Sequence, residues 1–212
     1  MITHLVVPGL LDPLPGRGGS GDLRRFPNLE LLLARGDEKT VPKGYAQTLF
    51  TLFGMPCLND LDLPTASVCY HAEPGVAPLP DTYLLHADPV HLRPDQDRLL
   101  AFDFHHQSLT DDEAAQYAEA FNTHFAADGL RLLAPHAKRW YLAAAVPPSL
   151  HTRMLDDVLG RNLDLFLPEG PDARTWRGWM NELQMLFHAL PLNQAREAQG
   201  LWPVSGLWFS GG

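Results

Sequence analysis

Cysteine is nearly absent. Cys57 and Cys69 are the only thiols in 212 residues, too few for a disulfide framework and not spaced as a metal knuckle, so both read as reduced. Positive charge is also scarce. Sixteen Lys and Arg face 25 Asp and Glu, and the net charge of -9 opposes nonspecific attraction to nucleic-acid phosphates or anionic membrane. No apolar run approaches the roughly 18 residues of a membrane span. The first eight residues lack a basic leader region and reach Pro8 before any apolar core of a signal peptide forms. These absences predict a cytoplasmic protein without nucleic-acid or membrane partners. Internal repeats are missing, and the one low-complexity tract is a glycine-rich loop. What remains is ordinary: 45% hydrophobic and 19% charged residues, in a chain long enough to bury a core of one or two domains.

The pattern along the chain divides into stretches. Leu5-Val6-Val7 reads as a short strand halted by Pro8-Gly9, and Pro13 to Gly21 as a mobile loop. Helices are predicted from Pro27 to a stop at Gly36, and over Tyr45 to Phe53. Prolines at 56, 64, 74, 78 and 80 mark a boundary region with one strand, Ala66 to His71. Strands follow at Thr82 to Ala87 and Leu99 to Phe104, joined by a turn at Arg93 to Asp97. Thr110 and Glu113 form a capping box that opens a helix, whose apolar face is Ala114, Tyr117, Ala118, Phe121 and Phe125. Two more strands, Leu130 to Leu133 and Arg139 to Ala144, complete an α+β unit. Helices are expected over Leu150 to Leu159 and Asp172 to Leu190, with a further turn or two at Asn193 to Gln199. The last apolar run, Leu207 to Phe209, reads as a strand entering the pair Gly211-Gly212, so further chain is expected beyond Gly212.

Candidate chemistry gathers at the end of the first strand of the α+β unit. Asp88, His91 and Arg93 place a carboxylate, an imidazole and a guanidinium within six residues, where a metal or a phosphate would find partners. Alternatively Asp88 caps a turn before Pro89, and Arg93 pairs with Asp95 or Asp97. Asp103 and His105 alternate along a strand and make a weak metal pair, with His106 beside them. His136, Lys138 and Arg139 form a small positive group next to Trp140 that would receive an anion, or simply an exposed turn. Ser20 lies among glycines but lacks the length and the lysine of a phosphate-cradling loop. No Ser-His-Asp or Cys-His arrangement stands out.

Taken in order, Pro8-Gly9-Leu10, Pro27-Asn28-Leu29-Glu30-Leu31-Leu32, Ala87-Asp88-Pro89-Val90-His91-Leu92, Asn122-Thr123-His124-Phe125, Arg139-Trp140-Tyr141-Leu142 and Leu207-Trp208-Phe209 resemble the proteobacterial RpfE-type regulatory protein family. Many members of that family are labelled phosphoglycerate mutase-like. A fainter likeness is to the archaeal-type cofactor-independent phosphoglycerate mutases of the alkaline phosphatase superfamily.

The resemblance implies an α/β fold, a partial alkaline phosphatase-like sheet of residues 1–80 and 150–212, carrying an inserted α+β domain at 81–149. It also implies where catalysis would fail. The superfamily's first metal-binding aspartate falls at Pro8, and its nucleophile falls near Tyr45-Ala46, where there is no aliphatic hydroxyl. Asp12 and Thr48 are the nearest substitutes. The expectation is a non-catalytic, regulatory relative with no cofactor, binding through Asp88, His91 and Arg93. A partner or a second copy is expected on an exposed edge formed by Trp202, Trp208 and Phe209. The alternative is a manganese-dependent mutase whose remaining ligands lie beyond Gly212, and a third reading is a small metal-binding module using Asp88, His91, Asp103 and His105.

Overall fold

The structure is a computed structural model, and it describes residue 6 and residues 27–36, 44–55, 62–104 and 109–212. The expected strand Leu5 to Val7, apart from Val6, lies outside these residues, as do the glycine-rich loop, Pro8, Asp12, Cys57, His105 and His106. The chain forms two compact units, Met1–Cys57 and Leu58–Gly212, and the boundaries implied by the resemblance lie elsewhere, near 80 and 150.

In the first unit, α1 (Pro27–Arg35) and α2 (Tyr45–Leu52) match the expected helices. Proline is tolerated at the start of α1 because a helix leaves its first N–H groups unpaired anyway.

The second unit is a mixed α/β architecture built on a five-stranded sheet. In chain order it comprises α3 (Thr65–Ala72), β1 (Tyr83–Asp95), β2 (Arg98–Phe102), α4 (Asp111–His124), β3 (Leu130–His136), β4 (Arg139–Ala144), α5 (Ala173–His188), α6 (Pro191–Ala198) and β5 (Gly206–Ser210). Every strand pairing is antiparallel. The long strand β1 organises the sheet: its residues 83–86 pair with β4, 86–90 with β5 and 91–95 with β2. β5 thus joins the sheet that contains the 83–144 strands.

The expected turn at Arg93 to Asp97 shrinks to two residues, Gln96 and Asp97. Asp95 faces Arg98 across a tight hairpin, and Gln96 adopts a positive φ of 55° that lets the loop follow the twist of the strands.

One face of the sheet is apolar. Leu85 and Ala87 of β1, Leu132 of β3 and Leu142 of β4 pack beneath Tyr117, Phe121 and Phe125 of α4 and Trp176, Met180, Leu183 and Phe187 of α5. The α4 capping box forms as expected: the Thr110 hydroxyl accepts the Glu113 N–H, and the Glu113 carboxylate accepts the Thr110 N–H. The opposite face carries Leu84, Tyr141 and Ala143 against Ala66 and Tyr70 of α3.

Two expected elements take another form. Ala66 to His71 is helix, not strand, because its buried positions Thr65, Ala66 and Tyr70 recur at helical spacing, and the Gly211 carbonyl accepts the Ala66 N–H at the helix start. The helix expected over Leu150 to Leu159 is replaced by irregular chain with a short 3-10 turn, Leu155–Asp157. Its backbone is taken by partners far along the chain. His151 exchanges hydrogen bonds with Glu169, Asp62 accepts the Thr152 N–H, and the Trp208 indole donates to the Arg153 carbonyl.

The last strand lies inside the unit rather than on an exposed edge. All five β5 residues are buried, with Trp208 and Phe209 in the main core.

Candidate functional site

Side chains alternate along a strand, and this alternation sorts the candidates on β1. Asp88 lies two residues from His86, on the face covered by α3, where its charge acts on the Cys69 thiol. His91 and Arg93 belong to another neighbourhood. The His91 ring stacks on Trp202 with centroids 4.9 Å apart and planes at 18°, and its Nδ1 donates to the Pro203 carbonyl at 3.1 Å. A carbonyl only accepts, so this bond sets the tautomer. Burial lowers the His91 pKa, and the Pro203 bond offsets part of that effect. Arg93 lies over the Phe102 ring, 4.8 Å from its centroid. The three side chains named from sequence therefore occupy two environments, one against α3 and one around Trp202 and Phe102.

Asp103 follows β2 and is half-buried, while its expected companion His105 lies outside the described residues. Among the described residues, no group of three or more His, Cys, Asp or Glu side chains is placed to share a metal ion.

One cluster of polar chemistry was not revealed by the sequence. Glu73, just past the end of α3, has only 7% of its side chain exposed. Its Oε1 accepts from Arg139 Nη1 at 3.0 Å and from the Tyr141 hydroxyl at 2.9 Å, and its Oε2 accepts from His136 Nε2 at 3.4 Å. Arg139 and Tyr141 are alternate residues of β4 and share its face. The positive group read at His136 and Arg139 thus receives an anion supplied by the protein itself.

The electrostatics follow. Burial pushes the Glu73 carboxyl upward, but hydrogen bonds from Tyr141 and Arg139 and the Arg139 charge outweigh it and hold the group below its ordinary value. The Tyr141 hydroxyl is pushed up, first by burial and then by its bond to Glu73. Burial also raises the Cys69 thiol, which keeps it protonated and unreactive.

His86 completes this face. Its ring lies 5.6 Å from that of Tyr141, and burial, helped by the Arg139 charge, pulls its pKa down to about 4. It is therefore neutral at pH 7. Directly opposite on β5 is Ser210, fully buried, whose hydroxyl has no hydrogen-bond partner among the described residues. A serine and a neutral imidazole face each other here without the hydrogen bond that a nucleophile and its base need.

No helix among the described residues is long and apolar enough to cross a membrane. Searches against protein-family models, curated proteins and solved structures returned no match.

Proposed function

We propose that this protein is a non-catalytic, regulatory relative of the phosphoglycerate mutase-like proteins that its sequence resembles, descended from an alkaline phosphatase-like domain. The observation that carries the reading is the internal engagement of the Glu73 cluster. Its carboxylate is held by Arg139, Tyr141 and His136, so these groups tie α3 to the sheet instead of facing a substrate. Cys69 supports it as well, because a thiol raised by burial is a poor nucleophile. The sequence adds Pro8, whose side chain offers no ligand atom where the resemblance puts a metal-binding aspartate. Phosphoryl transfer between two metals depends on such ligands for charge neutralisation.

A coupled assay for interconversion of 2- and 3-phosphoglycerate in the presence of manganese tests the proposal. The expected result is no turnover above a chelator-treated control. Metal-dependent turnover would replace this reading with that of an active mutase.

A further inference from the structure

A second place in the molecule has the features of a ligand site. Between the turn that follows β4 and the first turns of α5 lies a cavity of about 230 Å³. Its lining includes Trp176 and Trp179, whose ring centroids are 5.3 Å apart and whose planes stand at 70°, so two indoles meet nearly at a right angle beside it. Val146 and Pro147 supply further apolar lining, and Asp128 and Asp172 bring carboxylates. Among the described residues, no lysine or arginine lines it.

The walls are fixed by the fold. Gly129, at a φ of 71°, turns the chain out of α4, and its carbonyl accepts the Ala145 N–H at 3.0 Å. The Asp172 carboxylate accepts the Ser149 N–H at 2.7 Å and so joins the 145–149 segment to the start of α5. Trp176 is anchored in the core by an edge contact with Phe209.

We propose that this slot binds a free small organic cation of the quaternary ammonium type. The negative face of an indole attracts an ammonium lacking N–H donors, and the half-buried Trp179, backed by the buried Trp176 in edge contact, offers ring surface beside the two carboxylates. Two carboxylates with no basic residue select positive charge and oppose an anionic ligand. They also counter the positive end of the α5 dipole, which alone would disfavour a cation there. The volume is below the ~300–1,000 Å³ of sites for drug-sized molecules, which suits a small head group.

The test is a titration of the whole protein with tetramethylammonium chloride, followed by the indole N–H signals in NMR. Sodium chloride at equal ionic strength and tert-butanol, a neutral molecule of similar shape, serve as controls. A saturable shift of the Trp179 signal with tetramethylammonium, absent from both controls, is expected. Asp128→Asn, a surface change followed by the Trp179 signal, and Trp179→Leu, followed by the Trp176 signal, are each expected to weaken binding about 3- to 5-fold. Unfolding curves of both variants check that the fold survives. An equal response to tert-butanol, or no saturable response to tetramethylammonium in the unmutated protein, would overturn the proposal.

Discussion

The two faces of the sheet are held by different physics. Beneath α4 and α5, contact is mainly apolar: Phe121, Leu183 and Phe187 are buried against Leu132 and Leu142, while at its α6 side the Tyr117 hydroxyl donates to Asn193 and Arg196 pairs with Glu113. Beneath α3 the apolar cluster is small, and one carboxylate with three donors does much of the joining. The first face depends mainly on area removed from water, which changes little with pH or salt, and its Arg196–Glu113 pair is shielded from solvent, with 1% of the Arg196 side chain exposed. The second depends on charge, and its donor Arg139 is 56% exposed, so solvent screens it. Conditions that spare one face should loosen the other.

The largest break in that comparison is on the apolar side. Phe187→Ala removes a fully buried ring from the core and is expected to lower unfolding free energy by about 4 kcal/mol in denaturant titrations, independently of pH between 5 and 8. A loss under about 1 kcal/mol would mean that this core is less tightly packed than the contacts indicate.

Next comes acid. His86 has a folded pKa of about 4 against an ordinary value of 6.5, so the unfolded chain binds more protons between these values. Stability is present in full above pH 6.5 and is lost as pH falls toward 4, with a limiting contribution of about 3 kcal/mol. His91 is lowered too and adds in the same direction. Glu73, whose pKa is also depressed, contributes stability that goes only at lower pH, as its carboxylate protonates. The stability of His86→Gln, followed from pH 7 to 5, is expected to fall less steeply than that of the parent. An unchanged slope would remove His86 from the account.

The smallest effect is expected from Glu73→Gln. The amide keeps the shape but loses the charge that Arg139 and His136 face, and a cost of about 1–2 kcal/mol is expected, shrinking in high salt. The same salt series applied to Phe187→Ala should leave its deficit in place, which sharpens the contrast between the faces.

Much of the apolar face was legible in the sequence, because its signals are local. The Thr110–Glu113 box spans four residues, and the α5 stripe of Trp176, Met180, Leu183 and Phe187 repeats within single turns. The strands at 130–133 and 139–144 were likewise legible from short apolar runs. The polar face was not. Glu73 lies 63, 66 and 68 residues from His136, Arg139 and Tyr141, and no local pattern encodes such partners. The run Ala66 to His71, with Val68, Cys69 and Tyr70, has a strand-like composition. Tertiary contact made it α3, with the Gly211 carbonyl at one end and the Glu73 bonds at the other. Asp88, His91 and Arg93 were read as following a strand that ends at Ala87, whereas β1 runs through all three to Asp95; strand alternation and the position of Trp202 decide which of them share surroundings, and neither can be read from spacing alone.

The position of β5 has a consequence for synthesis. β1 finds one of its neighbours in Gly206–Ser210, and the Thr65 hydroxyl of α3 reaches the Gly211 carbonyl across 146 residues of chain. A ribosome delivers residues in order, so α3, β1 and β4 emerge and wait with Leu85, Ala87 and their neighbours only partly covered. Until the late strand arrives, that exposed patch belongs to whichever chaperone or sister chain meets it first.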